Sequence, residues 1–338
     1  MADIVLLTGA TGMIGYRVLV KLLELGYQVR TAVRNQAGFD KIKTLESAAR
    51  YADRLAAVIV PDITVFGAYD DAVKGVKFII HVASPLAANV PDNADFEVQL
   101  INPAVKGTIG MLESAQRSTG IQRIVITGSV SSTIGICDIG SSQVFDESRR
   151  SAESEGPFAS SIAAYVAAKS RAFNAAHEWM EKHRPSFDVI HIQPTFVLGR
   201  DETVTDAEHI TKGTNLLVMA PLLGYALDPY PGATVHLDDV ASMHVLSLNP
   251  LIPGNQDFLA SSEQPEGIEW ARIFDIIETA YPKECVEGVF KIPTERPLTG
   301  AMRISSAKAE KVFGIKFKSF EDQVLSVAAY YLELLGKR

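Results

Sequence analysis

The chain opens with short apolar runs that alternate with amphipathic stretches. The run Ile4–Leu7 is short and aliphatic, and it predicts a strand buried in a parallel sheet. After it, leucines and valines recur at helical spacing between Val18 and Leu25, and Gly26 ends the predicted helix. Further strands are predicted at 29–33, 56–60, 78–83, 123–127 and 189–193, with helical patterns at 96–116 and 165–181. This alternation predicts right-handed crossovers and a Rossmann-type, doubly wound parallel sheet of the α/β class.

The pattern loosens from about residue 196, where proline, glycine and aromatic residues become frequent and strand-like pieces become short. A strand followed by a helix returns at 235–248, and further helices are predicted at 268–281 and 320–335. We therefore predict a dinucleotide-binding domain at 1–195, to which 235–260 returns. A smaller, discontinuous C-terminal substrate lobe is predicted from 196–234 and 261–338, over the carboxyl edge of the sheet.

A glycine-spaced turn, Thr8–Gly15, lies between the first strand and the first helix. Free backbone N–H groups and the helix dipole meet a pyrophosphate in such a turn, and glycines allow the phosphate to approach. The spacing is G-x-x-G-x-x-G rather than G-x-G-x-x-G, so an ordinary strand-to-helix turn is the alternative. The predicted cofactor contacts in this turn are Gly9, Thr11, Gly12, Met13 and Ile14.

The residue after the second strand bears on the choice of dinucleotide. An acid there would bind a ribose 2′-hydroxyl and select NAD, whereas an arginine would pair with a 2′-phosphate and select NADP. This chain has Arg34, with Lys41 nearby, so we predict NADPH; the alternative is a solvated surface arginine. Asp62 and Ile63, just past the third strand, are predicted to flank the adenine, although an ordinary turn acid is nearly as good an interpretation.

Tyr165 and Lys169 are the strongest candidates for catalysis. Their i, i+4 spacing places both side chains on one face of a helix that Tyr165 is expected to open. A neighbouring ammonium is expected to favour the phenolate and lower the tyrosine pKa towards neutrality. Ser129, just beyond the fifth strand, is predicted to hydrogen-bond the carbonyl that is reduced. The neighbouring hydroxyls of Ser131 and Ser132 compete for that role.

Composition narrows the function classes. The net charge is −8, from 32 basic and 40 acidic side chains, which argues against nucleic-acid or anionic-membrane partners. The two cysteines, Cys137 and Cys285, are far apart and lack metal-ligand spacing, so no metal is predicted and a reduced, cytoplasmic location is expected. No signal peptide is expected, because the first strand begins at about residue 4 without a basic segment before it.

These motifs resemble those of the extended short-chain dehydrogenases/reductases. The resemblance is strongest to the dihydroflavonol-reductase-like branch, which includes fungal NADPH-dependent aldehyde and ketone reductases. Thr8–Gly15 matches the family's T-G-x-x-G-x-x-G, and Tyr165 with Lys169 matches its Y-x-x-x-K. Arg34 with Lys41 resembles the branch's NADP-phosphate pair. Two further segments that lie along the cofactor in this branch have counterparts here: His81–Pro85, and Pro194-Thr195 with Val197-Leu198-Gly199.

The motifs and the resemblance together define the expected site. One departure is Gly128, where the family more often has a serine before the catalytic serine. The expected catalytic residues are Ser129, Tyr165 and Lys169. The expected substrate contacts are Ser84, Ser129, Tyr165 and Phe196. The expected cofactor contacts are Gly9, Thr11, Gly12, Met13, Ile14, Arg34, Lys41, Asp62, Ile63, Val82, Ala83, Ser84, Thr127, Tyr165, Lys169, Pro194 and Val197.

The expected function is hydride transfer from NADPH to a small-molecule ketone or aldehyde, by an enzyme that is a monomer or a homodimer. Apolar residues of the substrate lobe, such as Phe196, Leu217 and Met219, favour an apolar or aromatic carbonyl, although they are equally well interpreted as the core of that lobe. A nucleotide-sugar epimerase or dehydratase, a hydroxysteroid-type dehydrogenase and a non-catalytic NADP-sensing regulator are the alternatives.

Overall fold

A computed structural model describes residues 3–151, 154–226 and 228–337 of the 338-residue chain. Residues 1, 2, 152, 153, 227 and 338, which the predicted domain ranges include, lie outside the described residues. No helix in the described part of the chain is both long enough and apolar enough to cross a lipid bilayer.

The strands and α-helices of the described chain alternate along its first half, and the bounds of all of them follow. The strands are β1 (Ile4–Thr8), β2 (Gln28–Val33), β3 (Leu55–Ile59), β4 (Phe78–His81), β5 (Arg123–Thr127), β6 (Val144–Phe145), β7 (Asp188–Pro194), β8 (Phe196–Leu198), β9 (Tyr230–Pro231), β10 (Thr234–His236), β11 (Gln256–Ala260), β12 (Thr299–Gly300) and β13 (Arg303–Ile304). The α-helices are α1 (Met13–Glu24), α2 (Gln36–Thr44), α3 (Glu46–Ala49), α4 (Asn102–Arg117), α5 (Ser161–His183), α6 (Leu216–Leu222), α7 (Leu237–Leu246), α8 (Arg272–Ala280), α9 (Pro282–Val286), α10 (Ala307–Phe313) and α11 (Phe320–Leu334).

Among the described residues, seven strands form one sheet in the order β11-β7-β5-β4-β1-β2-β3. The pairs β1–β2, β2–β3, β1–β4, β4–β5 and β5–β7 are parallel. This confirms the predicted α/β class with a Rossmann-like, doubly wound sheet. The strand order reverses between β1 and β4, and the carboxyl ends at such a switch point form the crevice in which ligands bind.

Two compact units divide the chain. The first comprises Met1–Ile136, Glu147–Gln193 and Ala241–Phe258, and the second comprises Cys137–Asp146, Pro194–Val240 and Leu259–Arg338. These bounds differ from the predicted domain ranges. Cys137–Asp146 belongs to the second unit because β6 pairs with β13 there, and the segment that returns to the first unit is Ala241–Phe258 rather than 235–260. Residues 194 and 195 also belong to the second unit. The roles predicted for the two domains remain predictions.

Each unit has its own apolar core. In the first unit, Leu6, Ile79 and Ile124 of the strands pack with Met111 and Leu112 of α4 and Trp179 of α5. In the second unit, α6, α8 and α11 enclose a core that includes Leu217, Met219, Leu222, Trp270, Phe274 and Phe320. Burial of such side chains contributes about 1.5–3 kcal/mol each for the larger aliphatic and aromatic residues.

The predicted bounds differ from the observed ones where local hydrogen bonding intervenes. Strand β4 ends at His81 rather than residue 83, because the Thr8 hydroxyl accepts the N–H groups of Val82 and Ala83. The helix predicted at 96–116 is divided into a π-helical turn, Glu97–Ile101, and α4, whose first turn contains a proline that lacks a backbone N–H.

Helix α5 begins one turn before Tyr165. The Ser160 side chain accepts a hydrogen bond from the Ala163 N–H at 3.3 Å and caps the helix, so the prediction that Tyr165 opens it is wrong. Tyr165 and Lys169 therefore both lie inside a helix of 23 residues, which holds their spacing firmly.

Candidate active site

Thr8 joins the ends of β1 and β4 at the switch point of the sheet. Its hydroxyl oxygen accepts N–H groups from Val82 at 3.1 Å and Ala83 at 3.0 Å, and it lies 3.0 Å from His81 Nδ1. Burial lowers the pKa of His81 to about 4, so the imidazole is neutral and Nδ1 can accept the Thr8 hydroxyl proton. These contacts fix the segment containing Val82, Ala83 and Ser84 beside the glycine turn.

Two glycines of the turn are required by close backbone approaches. Gly9 has φ +75°, and a Cβ there would lie 2.8 Å from Ala83 N. A Cβ on Gly15 would lie 2.1 Å from the carbonyl oxygen of Gly9. This close packing of backbone atoms indicates that the turn is a rigid junction between β1 and α1.

Gly12 differs from these two glycines because its own backbone does not require glycine. Its φ is −109°, and a Cβ would make an ordinary 3.7 Å contact with Gly9 O. Gly12 is the N-cap of α1 and no side chain caps this helix, so the N–H groups of its first turn, which begins at Met13 and Ile14, lack that partner. An exposed, uncapped helix N-terminus behind a glycine suits a pyrophosphate.

Arg34 lies directly after β2, and the next residue, Asn35, caps α2 by accepting the Gly38 N–H at 2.9 Å. A Cβ on Gly38 would lie 3.4 Å from the Thr11 side chain, so this helix start is close to the glycine turn. Arg34 is exposed, and among the described residues it has no hydrogen-bond or ion-pair partner. Lys41 is also exposed, one turn further along α2.

Asp62 and Ile63 follow β3 at a turn. Asp62 accepts hydrogen bonds from the Thr64 N–H at 2.8 Å and the Thr64 hydroxyl at 2.7 Å, and these bonds lower its pKa. Ile63 packs near Gly107, where a Cβ would lie 2.8 Å from Ile63 Cδ1. Both residues thus have structural roles, and their predicted contact with adenine remains a prediction.

Ser129, Tyr165 and Lys169 come together at the carboxyl edge of the sheet. Ser129 lies in the loop after β5, and its side chain is near enough to Tyr165 to favour ionisation of the phenol. Lys169 Nζ lies 5.7 Å from the centre of the Tyr165 ring. The tyrosine is partly buried, and Ser129 and Lys169 are buried. The structure therefore brings together the three residues that the sequence singles out as catalytic.

The competing serines have other partners. Ser132 is fully buried and its hydroxyl donates to the Lys169 carbonyl oxygen at 3.2 Å, which ties the 130–132 turn to α5. Ser131 accepts a hydrogen bond from the Ser129 hydroxyl at 3.2 Å. Ser129 is thus the member of the group that contacts Tyr165, with Ser131 supporting it.

The pKa values at this site differ from the expectation. Burial raises the pKa of Tyr165 to about 12, although the nearby Ser129 side chain acts in the opposite direction. Burial lowers the pKa of Lys169 to about 8. The predicted lowering of the tyrosine pKa by Lys169 is therefore wrong for this structure, because desolvation dominates and the ammonium faces the ring. The phenol holds its proton at neutral pH.

A side chain of β7, that of Gln193, lies beside Gly128. A Cβ on Gly128 would lie 3.1 Å from Gln193 Cγ. Gln193 is fully buried, and its Oε1 accepts the Thr133 hydroxyl at 2.7 Å. The glutamine side chain therefore occupies the space beside position 128, which accounts for the departure from the family pattern. The sequence analysis did not identify Gln193, whose proximity to Gly128 arises from the neighbouring strands β5 and β7.

Thr127 is held by a residue that the sequence analysis missed. Its hydroxyl lies 2.7 Å from Nε2 of His244, a buried residue of α7. No local signal in the sequence connects these two positions, since 117 residues separate them. The Thr127 hydroxyl is thus already hydrogen-bonded to His244. The contact of Thr127 with the cofactor remains a prediction.

The remaining predicted residues belong to the second unit. Pro194 and Val197 are buried at the end of β7 and on β8, and Phe196 is partly buried. The Phe196 ring meets Tyr230 edge-on with centroids 6.0 Å apart, and it packs against the core of that unit. Leu217 and Met219 are buried in the same core, which supports their interpretation as core residues.

The first unit thus has features that fit a dinucleotide. The uncapped α1 N-terminus can take the pyrophosphate, Arg34 is available for a phosphate on the ribose, and Lys169 lies beside the tyrosine. A buried serine–tyrosine pair near a lysine can bind a carbonyl oxygen and donate a proton to it.

Comparisons with known proteins give a consistent picture. The sequence profile of the NAD dependent epimerase/dehydratase family matches residues 5–251. A ketoreductase of Cercospora nicotianae is 39% identical, over 100% of this chain and 97% of that protein. An NAD-dependent epimerase/dehydratase of Alternaria alternata is 33% identical, over 98% of each chain. The crystal structure of yeast methylglyoxal/isovaleraldehyde reductase Gre2 with NADPH shares the fold, with a TM-score of 0.85, 23% identity and coverage of 99% of this chain and 100% of that chain.

Proposed function

The chain belongs to the NAD dependent epimerase/dehydratase family, and from this premise we propose that it is an NADPH-dependent reductase of ketones or aldehydes. The predicted relationship to the extended short-chain dehydrogenases/reductases is confirmed at this level, and the chain is an oxidoreductase that acts on carbonyl or CH–OH groups. The observation that carries the finer proposal is the grouping of Ser129, Tyr165 and Lys169, with Lys169 Nζ 5.7 Å from the centre of the Tyr165 ring.

In the proposed reaction, Ser129 and Tyr165 bind the carbonyl oxygen through their hydroxyls. When bound, a reduced nicotinamide supplies the hydride that the carbonyl carbon accepts. Tyr165 donates its phenolic proton to the oxygen, so that the product is a neutral alcohol and the phenolate is reprotonated from solvent. A raised tyrosine pKa suits this direction, because the proton is present on the phenol at neutral pH. We assign to Lys169 the task of holding the nicotinamide ribose.

NADPH is proposed rather than NADH because Arg34 is exposed and unpaired within the described chain, beside the start of α2. A guanidinium there can form charge-assisted hydrogen bonds with a 2′-phosphate. The related Gre2 structure contains NADPH, which supports the same choice. An apolar or aromatic carbonyl is the proposed substrate class, as the apolar sequence of the predicted substrate lobe favours.

An initial-rate experiment tests the proposal. We expect NADPH oxidation in the presence of apolar ketones or aldehydes, and no turnover of nucleotide sugars. Arg34→Gln is expected to raise KM for NADPH by about tenfold to a hundredfold and to leave KM for NADH nearly unchanged, because charged hydrogen bonds contribute about 1.5–3 kcal/mol. Absorbance of the reduced cofactor follows both reactions.

Arg50→Gln is the matched control, since it removes one exposed positive charge from the C-terminal end of α3. It should change KM for NADPH less than twofold. An equal rise in KM for NADPH and for NADH in Arg34→Gln would contradict the assignment of Arg34 to the 2′-phosphate. Turnover of nucleotide sugars alone would contradict the reductase proposal and favour the reaction class named for the Alternaria alternata relative.

A nucleotide-sugar diphosphate needs a cluster of free arginines, and the described residues of the second unit contain none. Arg200 is engaged by Glu333, with one nitrogen–oxygen distance of 2.8 Å, and its guanidinium lies over the Tyr330 ring. A diphosphate would have to displace this ion pair. The carbonyl reductase is therefore the better-supported proposal.

Lys169 makes the reaction pH-dependent. Because burial lowers the pKa of Lys169 to about 8, the ammonium predominates below that pH and the neutral amine above it. If the ammonium holds the cofactor, kcat/KM for NADPH is constant below about pH 8 and falls by up to about tenfold per pH unit above it. The tyrosine, with a pKa raised to about 12, adds no loss in this range.

Lys169→Arg provides the control for this profile. A guanidinium remains protonated throughout, so the decline above about pH 8 should disappear even where the absolute rate is lower. A decline with the same midpoint in Lys169→Arg would show that another group is responsible.

A further inference from the structure

Two histidines and an aspartate meet on the side of the first unit formed by α5, β7 and β11. His177 Nε2 lies 3.1 Å from Asp257 Oδ1, and His191 Nδ1 lies 3.0 Å from the same oxygen. One ligand atom from each of the three residues falls within 4.8 Å of the others. The proposed reduction reaction uses none of these side chains.

Neighbouring rings fix the two imidazoles. Their centroids are 5.0 Å apart with an angle of 26° between the planes. The Phe173 ring meets His177 edge-on at 4.6 Å and His191 edge-on at 4.9 Å. The donor atoms are therefore held in place by packing, which lowers the reorganisation needed to bind a ligand.

The distances also suit one ion. Bonds of about 2.0–2.2 Å to nitrogen and oxygen place the donor atoms of a single zinc ion about 3–4 Å apart. Both histidine-to-aspartate separations are already close to that range. Coordination requires that the nitrogen facing Asp257 carry no proton, so each ring then holds its proton on the other nitrogen. For His191 that nitrogen is Nε2, which is buried and has no hydrogen-bond partner in the described part of the chain, so this tautomer leaves an unpaired donor and lowers the affinity.

We propose that His177, His191 and Asp257 form a binding site for a first-row divalent transition metal ion such as Zn²⁺, which would join α5 to β7 and β11. Two imidazoles and one carboxylate are a donor set that zinc, iron and other imidazole-preferring metals accept, with water in the remaining positions. The His177 side chain is 31% exposed and gives the ion a route from solvent. The sequence analysis predicts no metal from the two cysteines alone. No local spacing marks these three ligands, since 14 and 66 residues separate them along the chain.

Arg150 is expected to weaken the binding of a metal ion at this site. Its guanidinium bonds Asp257 Oδ2 at 2.8 Å and lies over the Phe173 ring at 4.7 Å. This positive charge repels a cation and occupies one carboxylate oxygen. Neutralising Arg150 should therefore strengthen metal binding, an effect that a purely hydrogen-bonded network does not predict.

Calorimetric titration of chelator-treated protein with Zn²⁺ tests the site, with Co²⁺ absorbance as a second probe. We expect one equivalent to bind and to raise Tm. His177→Gln should weaken binding by about tenfold or more, and Arg150→Gln should tighten it. His183→Gln is the matched control, because it removes an exposed imidazole that stacks on Trp179 at the end of the same helix.

Three outcomes would overturn the proposal. One is the absence of stoichiometric binding in both the wild-type protein and Arg150→Gln, which would leave a hydrogen-bonded network only. Another is binding that His177→Gln and His183→Gln weaken equally, which would place the ion elsewhere. The third is unchanged affinity in Arg150→Gln. Since His177 is partly exposed, its variant is expected to fold, and circular dichroism verifies this.

Discussion

Tyr165→Phe is expected to reduce kcat for carbonyl reduction by about 10²–10⁴-fold, the range that general acid catalysis supplies. The substitution removes the hydroxyl that contacts Ser129 and holds a proton at neutral pH, with a pKa raised to about 12. The ring remains, so the packing of α5 is retained. NADPH binding should stay within a few-fold of wild type, as measured by fluorescence titration alongside steady-state rates.

Three further variants locate the effect at the reacting oxygen. Tyr51→Phe removes a phenol that lies 4.7 Å from the Arg54 guanidinium, far along the chain from the site, and should leave kcat unchanged. Ser129→Ala should also lower kcat strongly, whereas Ser131→Ala, one hydrogen bond further away, should have a smaller effect. Turnover like that of the wild type in Tyr165→Phe would remove the basis of the catalytic assignment.

Sequence patterns predict six of the seven strands that form the sheet in the described chain, because these strands are short aliphatic runs between glycines and polar turns; β11 was not predicted. β5 occurs at Arg123–Thr127 as predicted, and β3 is displaced by a single residue. Helix ends are less predictable, since they depend on individual caps such as Ser160. The π-helical turn before α4 was not predicted, although the proline at its junction is a signal that could have indicated it.

The proximity of the candidate site residues could be predicted from the sequence, whereas the electrostatics of the site could not. Tyr165, Lys169 and Ser129 follow from spacing and from position at strand ends. The direction of the tyrosine pKa shift depends on how much of the ring is desolvated, which only the folded chain determines. Gly128 lies beside Gln193 because their strands are neighbours in the sheet. The order of the strands also helps to bring His177, His191 and Asp257 together. No local sequence pattern predicts either arrangement.

Gly15→Ala is expected to destabilise the protein severely. A Cβ at this position would lie 2.1 Å from Gly9 O and 2.5 Å from Gly9 C, and both are backbone atoms that cannot rotate away. Overpacking commonly costs about 1–3 kcal/mol, and a backbone clash of this size should reach or exceed the upper value. Urea unfolding at constant m-value measures the loss of stability.

Gly12→Ala is expected to weaken cofactor binding without lowering the stability of the protein. Its Cβ would contact Gly9 O at an ordinary 3.7 Å and its φ of −109° suits any residue, so Tm should change little. The added methyl group would instead lie before the uncapped α1 N-terminus, where a pyrophosphate approaches, and NADPH affinity should fall by about tenfold or more. If Gly12→Ala bound NADPH as the wild type does, the phosphates would have to lie elsewhere. The glycine turn would then be a structural junction without a role in binding.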